Sequence, residues 1–400
     1  ESAAVVRVAR AVAARGGRAL LVGGVVRDRL LSALGRGAPS KDLDVEVFGV
    51  PLADLAELLS AEGPVNEIGV SFAVLMVRGL DVDFSVPRRD RKSGDGHRGF
   101  SVDADPSLSV ADAARRRDFT LNSISMDPLT GEIIDPVGGV RDLEEGILRP
   151  TDLATFGEDP LRALRAIQFA ARFDLRPSPD LVPTMAQQDL SELPAERVLA
   201  ELGKLLLKGR VPSRGLDLLI RAEGLRFFPE LGPAARLREA GLALDEWVAR
   251  RPADRRAAWV QGLALLSRGA DFDALAAHVR PPTRTAVAVR ALLEQRELPQ
   301  TDPQLRTLAR RLGASGTSVR ALTAIASDRG AAQACLRRAQ DLGVADEPLP
   351  VAVQGRDLIG RGLRAGAHLG PLLQACLDLE DASGETDPEA LMHAVLGKRG

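Results

Sequence analysis

The chain is poor in the residues that staple or metallate small domains. It holds two cysteines, Cys335 and Cys376, far apart and without ligand spacing. That excludes a disulfide framework and fits a reducing compartment. Its four histidines are scattered at 97, 278, 368 and 393, so no zinc site is expected. Tyrosine is absent, and nothing in the sequence accounts for that. No apolar run reaches the length of a membrane span. The first residues, Glu1-Ser2-Ala3-Ala4, lack a basic segment followed by an apolar one, so no secretory signal is expected. Nor is there a dominant charge: 53 Lys and Arg against 55 Asp and Glu leave a net charge of −2. Any affinity for nucleic acid has to come from local arginine-rich faces.

What is present is a chain of 400 residues, 45% hydrophobic and 27% charged. It is long enough for two to four domains and apolar enough to bury a core. The first 150 residues mix short apolar runs with helical patterns. Ala19–Val22, Val45–Phe48, Phe72–Val77 and Val82–Phe84 read as strands punctuated by Gly, Pro and Asp, and Leu52–Leu59 reads as a helix. Beyond about residue 150 the strand signals stop. Ala/Leu/Arg-rich stretches at helical spacing follow, one starting at Asp159-Pro160 and another running from Pro194 through Leu207. The expected fold is α+β: a mixed sheet with helices, then an all-α remainder.

Five constellations in this order carry chemistry. Val22-Gly23-Gly24-Val25-Val26-Arg27-Asp28 runs a strand through two glycines into a helix start, where backbone N–H groups suit phosphate; alone, it is equally a tight turn with an arginine. Lys41-Asp42-Leu43-Asp44 leads into a strand, and residues two apart in a strand share a side. Asp42 and Asp44 then present two carboxylates, costly unless a cation neutralises them and suited as hard ligands to Mg²⁺. An isolated pair of this kind reads as two solvated aspartates; the glycine turn about twenty residues upstream shifts the reading toward an active site. Asp81-Val82-Asp83-Phe84 offers a third carboxylate, Asp83, or an ordinary polar face.

The fourth is Arg116-Arg117-Asp118-Phe119-Thr120-Leu121-Asn122. Its arginines can fork onto a triphosphate. On a helix, Asp118 and Asn122 share a face able to hold a ribose hydroxyl; an arginine–aspartate surface pair is the alternative. The fifth is Glu158-Asp159-Pro160-Leu161-Arg162, with Pro160 expected as the first helical residue and Asp159 as its cap. Arg162 falls one turn on. An acceptor beside a donor matches the amino group and ring nitrogen of cytosine or adenine and mismatches uracil and guanine.

Together these motifs resemble the class II tRNA nucleotidyltransferases, the family of bacterial CCA-adding enzymes and poly(A) polymerases. The match runs from about residue 19 to 232. It includes Asp135-Pro136-Val137-Gly138-Gly139-Val140-Arg141-Asp142-Leu143 with Arg149, and Leu193-Pro194-Ala195-Glu196-Arg197. A later stretch, Gln354-Gly355-Arg356-Asp357-Leu358-Ile359, looks like the tail of many members. The resemblance implies a polymerase-β-like head over residues 1–150, a helical neck over 151–232, and a helical body and tail that bind tRNA over 233–400. It implies addition of C, C and A to tRNA 3′ ends from CTP and ATP, with A-addition alone, or poly(A) synthesis, as rivals. Asp42 and Asp44 then hold Mg²⁺, and Asp83 joins them. Gly23, Gly24, Arg27, Arg117, Asp118, Asn122, Asp159, Arg162 and Arg165 then bind nucleotide. Residues Arg88 to Ser109 resemble the family's flexible loop, whose presence argues against an enzyme that adds only C. No His-Asp pair occurs, so the phosphohydrolase activity of some members is not expected. A cytoplasmic location is expected, with no membrane and no protein partner implied.

Overall fold

The computed structural model describes residues 2–37, 43–67, 74–92 and 100–397. Asp42, Phe72 and Ala73 of the expected third strand, and residues 93–99 of the expected loop lie outside them. The chain divides into two compact units, residues 1–205 with 209–227, and residues 206–208 with 228–400.

The first unit opens with α1 (Ser2–Ala14), whose Val5, Val8, Ala9 and Val12 are buried at helical spacing. It packs on β1 (Arg18–Val22) and on α3 (Leu52–Ser60). Between those two lie α2 (Gly24–Ala33) and β2 (Leu43–Phe48). Then come β3 (Val65–Glu67), β4 (Val74–Val77), β5 (Val82–Ser85) and an antiparallel ribbon of β6 (Arg88–Lys92) with β7 (Phe100–Ala104). After α4 (Val110–Arg115), a 3₁₀ turn over Thr120–Asn122 leads to β8 (Ser125–Met126) and β9 (Ile133–Ile134). These strands form a seven-stranded sheet in the order β3-β4-β5-β2-β1-β8-β9. Its pairs are antiparallel except β2 with β5, which run parallel. The expected α+β head is therefore present.

The unit continues through α5 (Gly139–Glu145) and β10 (Ile147–Leu148) to α6 (Leu161–Phe173). Next are β11 (Arg176–Pro177), α7 (Leu181–Ala186), α8 (Ala195–Lys208) and α9 (Pro212–Arg221). Helix α9 packs closely on α6 because Gly215 has no side chain: a Cβ there would sit 2.4 Å from the Ile167 carbonyl oxygen. A Phe119–Phe156–Phe169 cluster with edge-on rings fills the core beneath α6. One expectation needs correction: strand pairing does not stop at residue 150, since β10 pairs with β11. The expected start of α6 is present: Pro160 already has helical dihedrals (φ −55°, ψ −22°), and the extended Asp159 before it (φ −129°) caps the helix by accepting the Leu161 N–H.

The described part of the second unit, from Ala234 on, is built of helices. Trp247 is fully buried there and donates its indole N–H to Gln261. Further on, Val353, Leu358, Leu372, Cys376 and Leu391 form a separate apolar cluster. No described helix is long and apolar enough to cross a membrane.

Candidate active site

Strand β1 runs out at Val22 into Gly23, whose φ of 68° lies where a side chain is strained. A Cβ on Gly23 would also meet Arg117 Nη1 at 3.1 Å. The turn thus carries an arginine head laid against bare backbone, with the start of α2 directly after it.

Across from this turn, the parallel register pairs Asp44 with Asp83 and Glu46 with Ser85. The intervening Val45 and Val47 of β2, and Val82 and Phe84 of β5, are buried on the other face. Alternation of period two therefore sends the apolar residues to the core and both aspartates outward. Asp44, Glu46, Asp83 and Ser85 line one cavity of about 670 Å³ together with Gly23, Gly24, Arg117 and the polar face of α6. Neighbouring strands lie about 4.8 Å apart, so Asp44 and Asp83 are side by side. Asp42 lies outside the described residues.

Behind the turn sits a buried chain of charge. Arg27, 5% exposed, donates to Asp28 Oδ1 at 2.7 Å and to Asn122 Oδ1 at 2.5 Å. Asn122 Nδ2 donates to Asp118 Oδ1 at 2.8 Å, which also accepts from the Phe119 N–H. Arg165 closes the chain onto Asp118 Oδ2 at 2.6 Å. Burial lowers the Arg27 pKa despite Asp28. Burial pulls on Arg165 too, but the Asp118 carboxylate prevails and raises it. The sequence expectation placed Asp118 and Asn122 on one helix face. They do meet, but through a 3₁₀ turn rather than a helix: Asp118 lies just ahead of that turn, and its Oδ1 accepts from both the Phe119 N–H and Asn122 Nδ2.

The Asp-Pro-Val-Gly-Gly segment turns out to be the scaffold of this chain. Asp135 accepts from the Gly139 and Val140 N–H groups. Gly139 presses against the turn so closely that a Cβ would come within 2.2 Å of the Thr120 carbonyl oxygen. Asp142, 4% exposed, takes Thr120 Oγ1 and Arg149. Asn122 and Asp118 are thereby fixed from behind.

The pairing at the start of α6 departs from expectation. Asp159 Oδ2 pairs with Arg197 at 2.9 Å, not with Arg162, and Oδ1 accepts from the Leu161 N–H. Arg162 reaches the other way, donating to the carbonyls of Thr155 and Arg116. The reason is capping: the carboxylate satisfies the helix start, and Arg162 satisfies carbonyls of the loops before it. Both residues line the cavity. Arg116 lines it too, donates to the Arg88 carbonyl, and has its pKa lowered first by burial and then by Arg88.

Three cavity residues went unnoticed in the sequence. Glu46 receives Arg117 Nη2 at 3.1 Å; its alternation with Asp44 was the available signal. Arg197 was visible only as part of a motif. Gln168, 1% exposed, gave no signal, because a glutamine inside an Ala/Leu/Arg helix is ordinary.

Residues 19–149 match the model of the poly A polymerase head domain. The multifunctional CCA protein of Stenotrophomonas maltophilia (strain R551-3) is 41% identical over 219 residues, 53% of this chain and 51% of that protein. The protein of the same name from Nitrosococcus oceani is 38% identical over 216 residues, covering 53% and 50%. The chain thus matches about half the length of these curated relatives. Over almost its whole length it shares the fold of the Bacillus stearothermophilus CCA-adding enzyme solved with CTP, at 22% identity and a TM-score of 0.74, covering 98% of this chain and 96% of that one. The Thermotoga maritima CCA-adding enzyme solved with tRNA matches at 21% identity and a TM-score of 0.64, covering 99% and 94%. The resemblance read from the motifs and the expected fold are both borne out.

Proposed function

We propose that the chain is a class II tRNA nucleotidyltransferase that adds C, C and A to the 3′ end of tRNA from CTP and ATP, without a nucleic-acid template, releasing pyrophosphate. The observation that carries this reading is the paired register of Asp44 and Asp83 opposite the Gly23–Arg117 turn in one cavity. Metal-binding carboxylates thereby face a phosphate cradle. The names of the similar proteins, CCA proteins and CCA-adding enzymes solved with CTP and with tRNA, point the same way.

Asp44 and Asp83 suit a divalent cation: they are hard oxygen donors, side by side and cavity-facing, and as neighbouring like charges they gain from one. Asp42, outside the described residues, completes the set by its place in the sequence. Mg²⁺ is the ion proposed, and bound there it offsets charge on the transferring phosphoryl group. Arg117 and the backbone of Gly23 and Gly24 take the triphosphate. The Arg27–Asn122–Asp118–Arg165 chain holds the wall against which the sugar rests. Asp159 and Arg162 read the base: each is held by other groups, yet a carboxylate oxygen and a five-donor guanidinium retain bonding capacity. In this reading residues 1–150 form the head, 151–232 the neck, and 233–400 the body and tail that grip tRNA in the cytoplasm.

The test is direct. tRNA ending before CCA, ending in C, or ending in CC is supplied with CTP and ATP separately. Two C additions followed by one A on the correct ends is the expected pattern. Addition of A alone to CC-ended tRNA establishes the A-adding rival, and long A tracts establish poly(A) synthesis. No addition with any substrate sinks the proposal.

A further inference from the structure

One buried polar group in the cavity wall is not used by the proposed mechanism. Helix α6 turns Leu161, Arg165, Gln168, Phe169 and Arg172 toward the cavity, a stripe at helical spacing. Its two arginines on this stripe are committed, Arg165 to Asp118 at 2.6 Å and Arg172 to Asp28 at 3.5 Å. Gln168 lies between them. It is 1% exposed, and its Oε1 has no hydrogen-bond partner among the described residues. A buried amide oxygen left unmatched costs free energy comparable to a lost hydrogen bond, so the site is built to gain from a donor.

Resting on the nucleotidyltransferase reading, we infer that Gln168 is a further substrate-binding residue whose amide oxygen accepts a hydrogen bond from a ribose hydroxyl, of the incoming nucleotide or of the RNA 3′ end. Three observations select a hydroxyl. Asp118 and Asn122 are already engaged with each other and with Phe119, Arg27 and Arg165, whereas the buried Gln168 oxygen has no partner among the described residues. Gln168 also lies six residues beyond Arg162, about 9 Å along the helix axis at a rise of 1.5 Å per residue, nearly two turns from the base-reading end of α6. Its neighbours one turn away on either side of the helix are guanidinium groups, Arg165 three residues before it and Arg172 four residues after it, both lining the same cavity. A hydroxyl can donate to an amide oxygen while its lone pairs face those cations, whereas a phosphate cannot donate at all. The terminal torsion of glutamine is soft, so the amide turns toward an entering donor at little cost.

The test compares wild type, Gln168→Leu and Gln168→Glu. Calorimetry gives the dissociation constants of CTP and ATP and of their 2′-deoxy and 3′-deoxy counterparts. Steady-state extension gives the KM of tRNA with a ribose or a 2′-deoxyribose 3′ end. Gln168→Leu is expected to weaken the ribose ligand by about three- to tenfold, the scale of one neutral hydrogen bond. It should leave the matching deoxy ligand unchanged and the melting temperature equal or higher. Gln168→Glu keeps an acceptor and should keep the ribose preference. A penalty seen on the nucleotide assigns the hydroxyl to CTP and ATP; one seen only on tRNA assigns it to the RNA end. Equal penalties on ribose and deoxy ligands, or none on either, overturn the role of Gln168 while leaving the functional reading intact. A wild-type protein that binds neither nucleotide overturns both.

Discussion

The two units each bury arginine against carboxylate, to opposite ends. In the second, Arg310 donates to Glu380 at 2.6 Å, to Asp381 at 2.8 Å and to the Leu349 carbonyl at 3.0 Å. Glu380, 1% exposed, also takes the Ala352 N–H. The cluster joins the helix at Asp302–Ala314 to the helix at Leu369–Ser383, and its bonds close on one another. In the first unit, the Arg27–Asn122–Asp118–Arg165 chain is as well bonded, but one side of it borders the cavity. A buried ion pair by itself therefore says nothing about function: its worth in stability is small once desolvation is counted, whereas breaking it is costly. What marks the first cluster is the space beside it and the carboxylates across that space.

The largest expected separation between the regions is in rate. Asp44→Ala should reduce nucleotide addition by more than roughly a thousandfold, the scale of a single electrostatic contact in a preorganised site. Asp44 is exposed on its strand, so the melting temperature and tRNA affinity should stay near wild type. Turnover within tenfold of wild type would falsify the assignment of Asp44. In the second unit the pattern inverts. Arg310→Met leaves two buried carboxylates without the guanidinium they share and should cost about 3 kcal/mol of stability, read as a shift in the urea midpoint. The folded fraction should still add nucleotides; loss of addition without loss of stability would show that the staple is more than structural.

Legibility in the sequence followed periodicity. Strands β2 and β5 and helix α3 were read because apolar residues repeat at two or at 3.6, strand β1 because a short apolar run is bounded by glycines, and the Asp44–Asp83 face follows from the alternation. What could not be read was partnership. Asp159 was expected beside Arg162 on helical spacing alone, but the carboxylate answers a capping demand and a guanidinium 38 residues away at Arg197. Asp118 and Asn122 were paired correctly for a wrong reason, a helix that is a 3₁₀ turn fixed by Gly139 and Asp142. Long-range contacts of this kind depend on chain packing that no local pattern encodes. Gln168 illustrates the limit, since only its buried, unmatched oxygen distinguishes it from a helical glutamine in solvent.

A smaller effect tests the dual role of Asp159. Asp159→Ala removes both the helix-start contact and the element that repels a carbonyl oxygen. Selection against UTP and GTP should fall by about 1–3 kcal/mol and stability by about 1 kcal/mol. Asp159→Asn keeps an acceptor for the Leu161 N–H and adds a donor, so selection should relax with little change in melting. If both variants keep wild-type nucleotide ratios, Asp159 serves only the helix start and its Arg197 pair.

The last comparison uses the two cysteines, both in the second unit, as reporters. Burial raises the thiol pKa of Cys335 and of Cys376, so at pH 8 the reactive thiolate is scarcer than in a free thiol. Native alkylation by iodoacetamide is therefore slow and passes through opening of the surrounding helices. Cys376 packs in the Leu358–Leu372–Leu391 cluster, on the same helix as Glu380 and Asp381. Loss of the Arg310 staple should raise its labelling rate, by up to about a hundredfold if the whole 3 kcal/mol is spent on the opening that exposes it, since 1.4 kcal/mol is a factor of ten. Asp44→Ala should leave that rate unchanged, because its lost carboxylate belongs to the cavity of the other unit. Labelling of Cys376 that is equally slow in Arg310→Met and wild type would show that the opening which exposes the thiol does not involve the staple. Faster labelling in Asp44→Ala would show that the two units share one unfolding step, and that cavity and staple are not energetically separate.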